Sequence, residues 1–313
     1  MKRKTILVIV SVVIVVTILI CLGFVSDYFG KTNKFASAFF AMGISVRELV
    51  VKYTEAPTNG KIKILIVPGH EPNFGGAEYR DLLERNLNLQ LAMKLRDMLS
   101  NNSRFEIIMA RDENGWNKDI ENYVSNNQTS IRKWISAKKS DMLRLVDNGK
   151  LQLVTPTIEH ATAPLQSAIF LYGINKWASN NNVDITLHLH FNDNPKYKGK
   201  PNYDGFSIYV PERQYSNSIS SKVLADNLLE EISSIKNTST MPQENSGVVE
   251  DQELIAIGRY NTSDSLSALI EYAYIYEPFM QVAKSRNNYI DKAASSTAKA
   301  ISNFFESRTM FLN

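Results

Sequence analysis

Four scattered side chains, His70, Glu84, His190 and Glu271, have the types that metal-assisted hydrolysis uses, and each stands at or beside the end of an apolar run. Two imidazoles and one carboxylate can hold a catalytic zinc ion (Zn2+) and leave its fourth position for water. A further carboxylate can take the proton of that water. Glu271 carries most of this reading. It lies inside Ala-Leu-Ile-Glu-Tyr-Ala, residues 268–273, where a carboxylate is costly to bury unless it is paired or bound to a positive centre. Perturbed carboxylates of this kind concentrate at active sites.

The other three residues say less when taken singly. His70 ends Ile-Leu-Ile-Val-Pro-Gly-His, just past the end of an expected strand, where open α/β sheets place their ligands. Pro68-Gly69 makes the turn, with the glycine free to take dihedrals that a side chain resists. Glu84 opens an expected helix, and alone it reads as a solvated carboxylate favoured by the helix dipole. His188 and His190 alternate with apolar residues and so share one face of their strand. The residues themselves leave open which of the two binds and which supports. His160 falls in an irregular stretch and reads as structural.

The elements that would position these groups alternate along the chain. Lys61–Val67 (KIKILIV), Phe105–Ala110 (FEIIMA), Asp184–His190 (DITLHLH), Phe206–Val210 and Ala268–Ala273 read as strands. Leu83–Leu99, Ile169–Ser179, Ser218–Ile235 and Val282–Phe305 read as helices, the first with Leu87, Leu91, Leu95 and Met98 inward. The expected fold class is therefore α/β, a mixed and mostly parallel central sheet with helices on both faces, preceded by one transmembrane helix. Residues 113–162, with Trp116, Trp134 and several lysines and arginines, form an extended segment with a helical centre. They read as a packing rim in preference to a lid.

The chain has 313 residues, 44% hydrophobic and 21% charged, with a net charge of +3, which suits an ordinary domain with a sizeable core. No clustered basic patch with interleaved aromatics is present, which argues against a nucleic-acid partner. The single cysteine, Cys21, excludes an intramolecular disulfide and a thiolate metal site. Lys2, Arg3 and Lys4 precede an apolar run through Val25, about the 20 residues needed to cross a bilayer. Without a convincing cleavage site this run is expected to be a retained anchor, its basic tip cytoplasmic and everything after Ser26 outside. The expected organisation is an anchor over 1–25, a stalk or linker over 26–60 and a catalytic domain over 61–313. The stalk carries Phe35, Phe39, Phe40, Met42, Val46, Leu49 and Val50 at near-helical spacing and ends at Glu-Ala-Pro-Thr-Asn-Gly, residues 55–60. The localisation that follows is a single-pass protein of the cell membrane with an extracytoplasmic body.

Four motifs fall in order along this framework: Pro68-Gly69-His70, Glu84 through Asn88-Leu89, His190-Phe191-Asn192, and Glu271-Tyr272-Ala273-Tyr274. This arrangement, over about residues 61–305, resembles the zinc-dependent N-acetylmuramoyl-L-alanine amidases, which cut peptidoglycan. Gly205-Phe-Ser-Ile-Tyr209 is similar to the strand that follows the second histidine there. The resemblance implies His70, Glu84 and His190 as zinc ligands, Glu271 as the catalytic carboxylate, and peptidoglycan as the partner. It implies hydrolysis of the amide between N-acetylmuramic acid and L-alanine; any protein regulator stays unidentified. His188 falls where that family has a small polar residue. Ala273-Tyr274 replaces the family's Gly-Phe, and the stretch before His190 is longer than usual. Two other readings compete: a zinc peptidase or deacetylase of different substrate, and a catalytically silent wall-binding or regulatory module.

Overall fold

The computed structural model describes residues 43–156, 158, 163–193 and 203–309. A six-stranded sheet forms its centre, with six α-helices among the described residues. In chain order these are α1 (Val46–Glu55), β1 (Ile62–Pro68), α2 (Glu84–Leu99), β2 (Phe105–Met109), α3 (Lys118–Asp147), α4 (Leu165–Asn180), β3 (Ile185–Asn192), β4 (Ser207–Pro211), α5 (Ser218–Ser233), β5 (Val248–Asp251), β6 (Leu266–Tyr274) and α6 (Ala283–Thr309). The strand order is β2-β1-β3-β6-β4-β5. Neighbours run parallel except β6 and β4, which are antiparallel, so the sheet is mixed and mostly parallel.

Strand alternation divides the sheet's side chains cleanly. Ile62, Ile64 and Ile66 of β1, Leu187, Leu189 and Phe191 of β3, and Ala268, Ile270 and Tyr272 of β6 join the larger core with α1, α2, α5 and α6. Leu65 and Val67 of β1 join the second core, with Ile120, Val124 and Ile131 of α3 and Ile169, Ile174 and Trp177 of α4. Helices therefore cover both faces. Because β1, β3 and β6 are parallel neighbours, their C-terminal ends share one edge, and that edge gathers His70, His190 and Glu271.

Residues 118–147 of the extended segment form a long helix docked by one face. Asn117 caps α3, its side chain accepting from the Asp119 and Ile120 amides at 3.0 and 3.4 Å. The helix then packs through Ile120, Val124 and Ile131. His160 and its neighbours lie outside the described residues.

The stalk expected over 26–60 is corrected for its described part. Ser45 and Glu48 form a reciprocal capping box that starts α1. Leu49, Val50 and Tyr53 are buried in the larger core, and Tyr53 stacks on Phe305 of α6 at 4.5 Å. Each such burial stabilises by roughly 1.5–3 kcal/mol, enough to fix the helix to the body. The expected anchor at 1–25 lies outside the described residues, and among those described no helix is long and apolar enough to cross a membrane.

Candidate metal centre

Glu84 is the hub of the strand-end cluster. It is the first residue of α2 and is only 4% exposed. Its Oε2 lies 2.8 Å from Nε2 of His70, and its Oε1 lies 3.0 Å from Nδ1 of His190. The same carboxylate accepts from the amides of Ala77 (2.8 Å) and Phe191 (3.2 Å) and from Nδ2 of Asn88 (3.2 Å), one helical turn on. Helix α2 has no side-chain cap, since its N-cap residue is the apolar Leu83.

Two glycines make room for the rings. A Cβ on Gly69 would stand 2.3–2.6 Å from the His190 ring, and one on Gly76 would stand 2.7 Å from His70 and 3.1 Å from Glu84 Oε2. The turn at Pro68-Gly69 works differently from the sequence-based expectation. His70 itself takes the left-handed conformation, with φ 68°, while Gly69 is needed because the neighbouring strand's imidazole fills the space of a side chain.

Arg111 holds the turn from behind. It is 2% exposed, and its guanidinium donates to the carbonyls of Pro68 (3.1 Å), Gly69 (2.8 Å) and Arg85 (2.8 Å). Asn88 also donates to the Gly69 carbonyl at 3.3 Å. Burial pushes the Arg111 pKa down to about 10, with Glu71 opposing, so the group remains a cation at neutral pH. The sequence signal for it was an arginine two residues past the apolar strand β2, a position that normally faces solvent.

Burial alone would raise the Glu84 pKa. The hydrogen bonds and charges of His190 and His70 outweigh that effect and hold it well below the ordinary carboxylate range. Burial pushes the His190 ring down, against the raising influence of Glu84. An ionised carboxylate flanked by neutral imidazoles is the state in which these groups bind a metal. The candidate ligand atoms of His70, Glu84 and His190 all lie within 4.8 Å of one another. Their donor set of two nitrogens and one oxygen fits zinc with an open coordination position.

Of the two histidines on the β3 face, only His190 joins this set. His188 sits one repeat deeper, 1% exposed, with Val67 and Leu269 as its register partners. Burial, helped by the neighbouring His190, pushes its pKa down to about 3, and the Ala256 backbone bonds to it.

Glu271 stands opposite His190 in the β3–β6 register. Its Oε2 is buried and has no hydrogen-bond partner. Burial, followed by the nearby Glu84 and Glu244 carboxylates, holds its pKa well above the ordinary value. Glu244, which sequence reasoning missed, is itself buried and accepts from Tyr209 (2.5 Å), Tyr274 (2.8 Å) and Asn192 (3.1 Å). The Tyr274 departure is thereby given a place. The ring is buried between Tyr203 and Tyr276, and its hydroxyl serves Glu244.

Comparison with known proteins agrees with this geometry. The family model described as N-acetylmuramoyl-L-alanine amidase matches residues 64–303. Among solved structures, the N-acetylmuramoyl-L-alanine amidase from Clostridium difficile 630 is 18% identical, with a TM-score of 0.50 over 79% of this chain and 98% of that one. The CwlD amidase from Clostridioides difficile in complex with the GerS lipoprotein is 16% identical, with a TM-score of 0.50 over 79% and 100%. Ami1 from Mycobacterium smegmatis, an N-acetylmuramyl-L-alanine amidase, is 13% identical, with a TM-score of 0.50 over the same shares. At these identities the likeness shows a common fold. No curated protein matches the chain. The family match spans well over half of the sequence and contains all three members of the His70/Glu84/His190 candidate metal site, so the chain belongs to the N-acetylmuramoyl-L-alanine amidase family of hydrolases.

Proposed function

We propose that this protein is a zinc hydrolase of peptidoglycan that cleaves the amide between the lactyl group of N-acetylmuramic acid and L-alanine. In this reading residues 1–25 anchor it in the cell membrane with the body on the outer side, beside the wall. The observation that carries the reading is the convergence of His70, Glu84 and His190 at one strand edge, with Glu271 opposite His190, in a chain of this family.

His70, Glu84 and His190 would hold the zinc ion. When bound, zinc polarises a carbonyl and lowers the pKa of water from about 15.7 to roughly 7. Glu271 takes the proton of the attacking water and delivers it to the leaving nitrogen as the C–N bond breaks. The products are a muramyl carboxylate and a free L-alanyl amine. Such proton transfer contributes about 10²–10⁴-fold. Glu271 suits the role because its Oε2 is buried and carries no competing hydrogen bond. Asn88 and the Ala77 and Phe191 amides fix the Glu84 carboxylate, and Arg111 fixes the turn that carries His70.

The test is incubation of the full-length chain with purified sacculi, with and without added Zn2+, followed by mass spectrometry of the new termini. Release of L-alanine amino termini that depends on zinc is expected. New termini at another bond would replace the substrate assignment, and no release under any metal condition would refute the hydrolase reading.

A further inference from the structure

We propose that Ser207 is a positioning residue for Glu271, its hydroxyl being the donor that holds the carboxylate in its working orientation. The proposal rests on the reading of Glu271 as the proton-transferring group.

The two residues come from opposite sides of the sheet's one antiparallel pairing. Glu271 of β6 is directly opposite Ser207 of β4. Side chains directly opposite in an antiparallel pair share a face, with Cβ atoms about 4.5–5.5 Å apart. The faces agree with the packing, since Phe206, Ile208 and Val210 point into the larger core while Tyr209 joins the cluster of Leu269. Glu271 is therefore flanked by His190 on β3 and by Ser207 on β4.

Both facing positions carry a buried polar atom without a partner. Ser207 is 0% exposed, and neither its Oγ nor the Oε2 of Glu271 makes a hydrogen bond. Most buried side-chain polar atoms in proteins are hydrogen-bonded, so each exception calls for a reason. Five such atoms occur among the described residues, and they include this pair on directly opposed positions of neighbouring strands. A serine hydroxyl donates one bond and rotates to suit, while an ionised carboxylate only accepts. The hydroxyl therefore supplies the donor that the Oε2 atom on the facing residue lacks in this structure. The nearby alternative donors are spoken for: the Tyr209 and Tyr274 hydroxyls both serve Glu244.

The test compares the full-length wild type with Ser207→Ala, Ser207→Thr, Ser207→Val and Glu271→Gln on a soluble muropeptide, measuring kcat, KM and bound zinc. A hydrogen bond to a charged group corresponds to a fold-change of about ten or more in kcat. Ser207→Ala is expected to lose that much in kcat with KM and zinc content within two-fold of wild type. Threonine and valine have the same shape and differ in the hydroxyl, so Ser207→Thr should turn over at least five-fold faster than Ser207→Val. A kcat for Ser207→Ala within two-fold of wild type, or equal rates for the threonine and valine variants, would overturn the proposal. Glu271→Gln separates the two levels of argument. Its inactivity beside an unaffected Ser207→Ala would remove Ser207 and leave the reading of Glu271 standing, whereas wild-type turnover by Glu271→Gln would remove both.

Discussion

Replacing Gly69 by alanine tests the geometry of the centre with a single methyl group. The new Cβ would lie 2.3 Å from Cε1, 2.5 Å from Nε2 and 2.6 Å from Nδ1 of His190, whereas ordinary contact begins at 3.4 Å. Something must move by about 1 Å. The backbone at Gly69 cannot easily yield, because its N–H donates to the Leu189 carbonyl at 2.9 Å and its carbonyl accepts from Arg111 and Asn88. The ring must therefore swing away, and its 3.0 Å contact with Glu84 breaks. Metal sites hold their ligand distances to about 0.2 Å, so a displacement near 1 Å removes a ligand. Misplacement on that scale costs about 10²-fold in catalysis. Gly69→Ala should keep its circular-dichroism spectrum while its zinc affinity, measured by competition with a chromophoric chelator, falls at least ten-fold. A variant that binds zinc as tightly as wild type would show that His190 is not held above Gly69 as described.

Three further outcomes follow from the same geometry. Metal analysis of purified variants should find His190→Ala depleted of zinc and His188→Ala loaded, and the reverse would mean that the buried histidine is the ligand. Arg111→Met removes the guanidinium bond from three carbonyl oxygens, of which that of Gly69 keeps its bond from Asn88, at about 1–3 kcal/mol for each group left unsatisfied. Urea unfolding should show a loss of about 3 kcal/mol or more, with Arg111→Lys recovering only part of it, and a loss below about 1 kcal/mol would contradict the bracing role. The raised pKa of Glu271 means that the metal-free fold favours its protonated form. That stabilising contribution is complete below the ordinary value of 4.5 and is lost as pH rises through the raised one. Glu271→Gln stays neutral throughout, so without metal it should melt like wild type near about pH 4 and a few degrees higher near about pH 7. An equal effect at both pH values would contradict the burial argument.

The sheet was legible in the sequence because its strands are buried on both faces and read as apolar runs, as in Ile64–Val67 and Ala268–Ile270. The motif residues were legible because each interrupts or ends such a run. Strand β5 was missed, since Val-Val-Glu-Asp, residues 248–251, is four residues with two acids. Helix α1 was taken for a stalk because its apolar spacing continues that of the preceding residues, and only tertiary contact with Phe305 distinguishes the two. Glu244 and Ser207 were not legible, and Arg111 was marked only by its place just past an apolar strand. Each depends on what a distant strand or loop places beside it, and the residue types alone fit any surface.

The docking of α1 has a mechanical consequence. Any pull applied upstream of Gly43 meets a helix whose Leu49, Val50 and Tyr53 are wedged into the hydrophobic interior. Traction is then shared by α6 and the sheet together, and the strand ends that bear the imidazoles move as one piece with the rest. A force borne this way acts on the whole folded body and leaves the strand-end cluster intact.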